Sequence, residues 1–244
     1  MKTKIITLCL ISLLTVHDNF VASAVQVSQN NKNICIANTS KPSYKLVASL
    51  LDKNIKLFAL SSLNNDIYDE FLLDVNGKTR GFHWQNVTAI PFAPQLNLSD
   101  LNNDNGDELS IILTTGTGSD LHLEDIHILD PITLNEYPIT DHLALINEQV
   151  NSQITKNDKN VLIRIKLKGN EYLITKNISD AGYWFDNVYF GNSIHWRITN
   201  NKIYADVDAQ VSPSGFVGTV TIEYKYENAK FILSNISFDE AEQM

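Results

Sequence analysis

Asp100, Asn102, Asp104, Gly106 and Glu108 stand at alternate positions in the stretch Leu98-Ser-Asp-Leu-Asn-Asn-Asp-Asn-Gly-Asp-Glu-Leu-Ser-Ile-Ile-Leu113. Carboxylate and amide oxygens so spaced in a tight loop, joined by a backbone carbonyl near Gly106, make a set of hard ligands suited to one calcium ion. The same residue types also build a turn in which Asn and Asp side chains accept backbone N–H groups and hold no ion. Calcium is the expected occupant, and the plain turn is the alternative.

His122-Leu-Glu-Asp-Ile-His127 places two imidazoles near two carboxylates. Strand side chains alternate in direction, so His122 and His127 point to opposite faces; on a helix they diverge by about 140°. His122 with Glu124, or Asp125 with His127, share a strand face, but two ligands are too few for a metal centre. The segment therefore reads as a polar strand face. Thr114-Thr-Gly-Thr-Gly118 lacks the lysine and following helix of a phosphate-binding loop and reads as a tight turn. No Gly-x-Ser-x-Gly elbow and no Cys–His motif occurs, so no catalytic residue is assigned. Tyr183-Trp-Phe185 reads as core packing rather than as a ligand platform.

The loop from Asp100 to Glu108, running into the apolar Leu109, Ile111, Ile112 and Leu113, resembles the calcium loops of FG-GAP and VCBS repeat proteins. In those loops a D-x-[DN]-x-D-G-x-x-[DE] pattern precedes an apolar strand. The match is carried by Asp100, Asn102, Asp104 and Glu108. Where the family usually has glycine this chain has Asn105, with Gly106 one step later; Asn is the non-glycine residue most tolerant of a left-handed backbone. The resemblance covers about 20 residues and one loop, so it implies a calcium site but not the multi-bladed propeller. The order of segments around Thr114–Gly118, His122–Leu129 and Gln210–Gly218 is also similar to that of a group of uncharacterised secreted bacterial proteins, which implies no activity.

The chain carries 19 Lys and Arg against 28 Asp and Glu, a formal charge of −9. An acidic surface argues against nucleic acid and anionic membranes as partners, because phosphates demand clustered Lys and Arg. Met1-Lys-Thr-Lys4, an apolar run from Ile5 to Val16 and the small residues Ala22-Ser-Ala24 together have the plan of a secretory signal peptide over residues 1–24. The run is too short to span a bilayer, so no membrane insertion is expected after cleavage. The expected location is the periplasm or the medium. The mature chain would keep Cys35 as its one cysteine, and so no internal disulfide. The Asn-x-Ser/Thr sequons, including Asn86, Asn97 and Asn235, are read as a by-product of an Asn-rich composition.

The elements that must position the loop read as mainly β, of α+β type, with antiparallel sheets, hairpins and about two short helices arranged in two halves. Residues 25–40 read as a flexible leader. Residues 41–152 form a β-rich domain holding the calcium-type loop, and residues 160–244 form an antiparallel β-meander domain, with the boundary in the polar 151–160 stretch. Ser40 and Pro42 favour a helix over Lys41–Leu51, and Thr140 or Asp141 caps a second one burying Leu143, Ile146 and Val150. Asn76-Gly77 predicts a hairpin. A two-residue turn at Asn200-Asn201 would pair Ile198 with Ile203, Trp196 with Ala205 and Ile194 with Val207, and set His195 opposite Asp206. The function expected is that of an exported, non-enzymatic β-scaffold, stabilised by calcium, that binds a protein or glycan in the envelope or medium. The alternative is a secreted hydrolase with its active site between the halves.

Overall fold

Four strands meet first: β1 (Tyr44–Leu50), β2 (Ile55–Leu60), β4 (Phe71–Val75) and β5 (Lys78–Phe82) form one antiparallel sheet in the order β1-β2-β4-β5, with β3 (Ile67–Tyr68) pairing separately with β6 (Asn86–Val87). The computed structural model describes residues 44–60 and 66–241, all within one compact unit, Ser40–Met244. The expected signal peptide, the leader, Cys35, Ser40 and Pro42 lie outside the described residues. Then follow β7 (Gln95–Ser99), β8 (Glu108–Gly118), β9 (Leu121–Leu129), α1 (His142–Gln149), β10 (Val150–Lys156), β11 (Asn160–Leu167) and β12 (Asn170–Asn177). The chain ends in β13 (Ser193–Thr199), β14 (Lys202–Ser212), β15 (Gly215–Glu227) and β16 (Lys230–Glu240).

A seven-stranded sheet in the order β16-β15-β14-β13-β9-β8-β7 runs through both of the expected halves. The join is a parallel pairing of β9 with β13, two residue pairs long, Ser193 with His122 and Ile194 with Leu123. A parallel pair needs a long crossover, and α1 with the separate sheet β10-β11-β12 occupies it. The polar 151–160 stretch therefore holds most of β10, paired with β11 from Val150–Leu167 to Lys156–Val161, where a boundary was expected. Its side chains are polar because they alternate outward, while Ile154 points into the core.

The large sheet is covered on both faces over β8. Leu109, Ile111 and Leu113 pack with Ile55, Leu57, Phe71 and Leu73 of the four-stranded sheet. Ile112, Ile126 and Ile128 face the other way, toward Ile163, Ile165, Trp196 and Phe231. Burial on both sides is why Leu109–Leu113 reads as a near-continuous apolar run rather than an alternation. Each fully buried Leu or Ile side chain contributes about 1.5–3 kcal/mol.

Two hairpins obey the sequence reading, those at Asn200-Asn201 and Asn76-Gly77. Asn200 and Asn201 take φ of 53° and 57°, and the register is Ile198–Ile203, Trp196–Ala205, Ile194–Val207 and His195–Asp206. Asn76-Gly77, Lys168-Gly169 and Asn228-Ala229 are also two-residue turns with positive φ at both positions, the hand that matches strand twist. Asp141 caps α1 through its carboxylate, which accepts the Ala144 N–H at 2.6 Å. The helix buries Leu145 and Ile146 and ends before Val150, which starts β10.

Two expectations fail for a shared reason. Lys41–Leu51 was expected as a helix, but Tyr44–Leu50 is an edge strand paired with β2, bulged between Leu46 and Ala48. The extra residue breaks the period of two, so Tyr44, Val47 and Leu50 acquire helix-like spacing. Thr114–Gly118 was expected as a turn, but it continues β8, with a bulge between Thr114 and Gly116. Of the two helices expected, α1 is the α-helix among the described residues; the others are short 3-10 turns such as Leu51–Lys53. No helix among the described residues is long and apolar enough to cross a membrane.

Candidate functional site

Residues 100–107 are the loop of the β7–β8 hairpin, closed by the pairing of Ser99 with Glu108. Asp100 accepts the N–H groups of Asp104 and Asn105 at 3.1 and 3.2 Å. Asn102 Oδ1 accepts the Asp104 N–H at 2.8 Å, and Asp104 Oδ1 accepts the Gly106 N–H at 2.7 Å. Asn103 and Asn105 have φ of 62° and 69°, so Asn105 does adopt the left-handed backbone for which the resembled pattern uses glycine. The loop is thus wound around its own side-chain oxygens, as an Asx-rich turn is.

Three side chains of the expected ligand set, Asn102, Asp104 and Glu108, also touch one another, while Asp100 binds backbone N–H groups alone. The amide nitrogen of Asn102 lies 2.9 Å from Asp104 Oδ2 and 2.7 Å from Glu108 Oε1, a partial positive charge between two acids. Glu108 is 3 % exposed, and its other oxygen accepts the N–H groups of Leu101 and Asn102. Burial, with Asp104 and Asp100 adding to it, raises the Glu108 carboxyl above the usual carboxylate range, although the two backbone N–H groups oppose this. Among the described residues no lysine or arginine forms an ion pair with Asp100, Asp104 or Glu108. Asp104, Gly106, Asp107 and Glu108 line a shallow cleft with Asp130 and Tyr137. The donor set fits a hard cation, although the three carboxylates do not close to within 4.8 Å of one another as the residues of a second cluster do.

That cluster is His122, Glu124 and His195, where the β9–β13 ladder ends. Here the Glu124 side chain takes the place of the next main-chain bond: Oε2 accepts the Trp196 N–H at 2.7 Å, while the Trp196 indole donates to the Glu124 carbonyl at 3.2 Å. Glu124 Oε1 lies 3.0 Å from His122 Nε2. The His122 and His195 rings stack with centroids 4.2 Å apart and planes 11° from parallel, and Phe92 flanks His122 at 5.8 Å. His127, as expected, is elsewhere: it stacks on Trp84 at 4.2 Å and faces Glu136 at 3.4 Å. His122 and Glu124 do share a strand face, as the alternation predicts, on a segment expected to be no more than a polar face. The third residue comes from a strand that only the parallel pairing brings near.

A third feature is a shallow groove on the edge facing Tyr189, lined by Phe185, Asn187, Val188, Tyr189, Asn192 and Gln210. Tyr189 exchanges backbone hydrogen bonds with Gln210 at 2.8 and 2.9 Å, and the Asn192 amide donates to Gln210 Oε1 at 2.8 Å. Gly191, at φ 142°, keeps the turn tight against the ring; a Cβ there would lie 3.2 Å from the Tyr189 hydroxyl. Of the Tyr183-Trp-Phe185 cluster, Trp184 is core, as expected, while Tyr183 is exposed and Phe185 is half-buried. Comparison with family models, with curated proteins and with solved structures returns no match.

Proposed function

We propose that this chain is an exported, non-enzymatic β-scaffold that binds a neutral glycan in the envelope or medium, with the β7–β8 loop holding calcium as a structural ion. The observation that carries the reading is the groove: aromatic faces from Phe185 and Tyr189 beside the amides of Asn187, Asn192 and Gln210, with no charged residue in its lining. Sugar rings offer apolar C–H faces and hydroxyls that both donate and accept, which such a lining complements. Asn187 supports this, since turning its nitrogen toward the carbonyls of Ser152 and Asp186, at 3.2 and 3.3 Å, leaves its oxygen as an acceptor. Export rests on the apolar run and small residues of the first 24 positions. Calcium rests on the convergence of Asp100, Asn102, Asp104 and Glu108 around one loop.

The test is a glycan array of neutral and acidic oligosaccharides, followed by titration of the best binder against Tyr189→Ala. Binding of neutral sugars, weakened about tenfold by the loss of the ring, is expected; about 1.4 kcal/mol corresponds to that factor. An array without binders, or a Tyr189→Ala protein that binds as the wild type does, would refute the reading.

A further inference from the structure

We infer that His122, Glu124 and His195 form a binding site for a divalent transition-metal ion of the zinc class. This site shares no residue with the groove or with the β7–β8 loop, so it stands or falls apart from both. Each of the three residues offers a ligand atom, and these atoms lie within 4.8 Å of one another. Ligands about 2.0–2.1 Å from a tetrahedral ion are separated by roughly 3.3–3.5 Å. The His122–Glu124 pair, at 3.0 Å, is already that close.

What remains is the orientation of one ring. Imidazole lone pairs lie in the ring plane, so two rings stacked 11° from parallel do not point at one ion. His122 is flanked by Phe92 as well as by His195 and is mostly buried. His195 is exposed and lies on the open side of the stack. The site requires the exposed His195 ring to turn about its side-chain bonds out of the stack, so that a nitrogen already within 4.8 Å of the other two ligand atoms faces the ion.

The surroundings suit a metal more than a simple ion pair. A ligating carboxylate is normally held by a further hydrogen bond, and the Trp196 N–H holds Glu124 Oε2 in this way, leaving Oε1 for the ion. Glu124 is buried, and among the described residues no lysine or arginine pairs with it. Two imidazoles and one carboxylate favour zinc, nickel or copper over calcium or magnesium, which prefer all-oxygen shells. Three protein ligands leave a fourth position, on the solvent side of His195, for water or an exchangeable ligand.

The alternative is a His122–Glu124 hydrogen bond with His195 merely stacked on it, and His195→Phe separates the two because it keeps an aromatic stack and removes the nitrogen. Tag-free, metal-stripped protein is titrated with zinc against a chromophoric chelator, and with cobalt(II) followed by its visible absorption. One zinc per chain is expected, with a cobalt spectrum of low-coordinate type. His195→Phe and Glu124→Gln should each weaken zinc binding by at least about tenfold, the lower end of what even outer partners of a metal contribute. His83→Ala, on an exposed histidine outside every site described, should bind zinc as the wild type does. If the wild type takes up no zinc at micromolar concentration, or if folded His195→Phe binds it unchanged, the site does not exist.

Discussion

Replacing Asp100 and Asp104 together by asparagine separates a calcium loop from a plain turn. Asparagine keeps a side-chain oxygen to accept the N–H groups of Asp104 and Gly106, now 3.1 and 2.7 Å away, so the turn itself is preserved. The bonds sacrificed are the second ones, from Asn105 to Asp100 and from Asn102 to Asp104, and both are exposed, where water replaces them. Against that loss, two negative charges near buried Glu108 disappear, relieving the repulsion that helps raise its carboxyl. The two effects oppose, and with chelator the variant and wild type should differ by less than about 1 kcal/mol. Calcium changes this. An ion bound only to the folded state adds RT ln(1 + [Ca]/Kd), about 0.4–1.4 kcal/mol at 1 mM calcium for Kd values of about 0.1–1 mM. For a domain of this size that is a rise in Tm of about 1–5 °C. Differential scanning calorimetry with chelator, calcium and magnesium should show the rise for wild type with calcium, a smaller one with magnesium and none for the variant. Equal melting of the two proteins with chelator and with millimolar calcium would leave residues 100–108 as a turn and no more.

Ala229 occupies a left-handed position, φ 61°, in the β15–β16 turn, where a Cβ costs about 1–2 kcal/mol. Ala229→Gly should raise stability by about 1 kcal/mol in urea unfolding, and an unchanged midpoint would mean that the turn relaxes without strain. His142 is largely buried, packs edge-on against Trp196 at 5.4 Å, and its Nε2 has no hydrogen-bond partner among the described residues. Burial holds its imidazole below the ordinary value of 6.5, although Asp141 and Asp125 act in the opposite direction. A depressed pKa gives stability that is full above the unfolded value and is lost as pH falls below 6.5 toward the folded value. His142→Phe should therefore flatten the fall in stability just below pH 6.5, measured as the difference between the two proteins' urea midpoints; parallel curves would remove His142 as the cause.

What the sequence determined by itself was local. Asn-Asn and Asn-Gly steps set two-residue turns, and period-two patterns such as Ile194-His-Trp196 and Ile203-Tyr-Ala205 then left one register that buries the apolar sets together. Asp141 was legible as a cap because an N-terminal acceptor acts within its own turn. The alternation of Asp100, Asn102, Asp104 and Glu108 was legible because one hairpin loop and the strand residue that closes it contain them all. Bulges hid β1 and the end of β8, since one inserted residue erases the period on which the reading depends. Tertiary structure alone decided the rest. The short parallel pairing of β9 with β13 made one sheet of the two expected halves and set His195 beside His122 and Glu124. No local pattern encodes that neighbour, because a parallel partner is chosen by how a long crossover packs, not by the residues that finally meet.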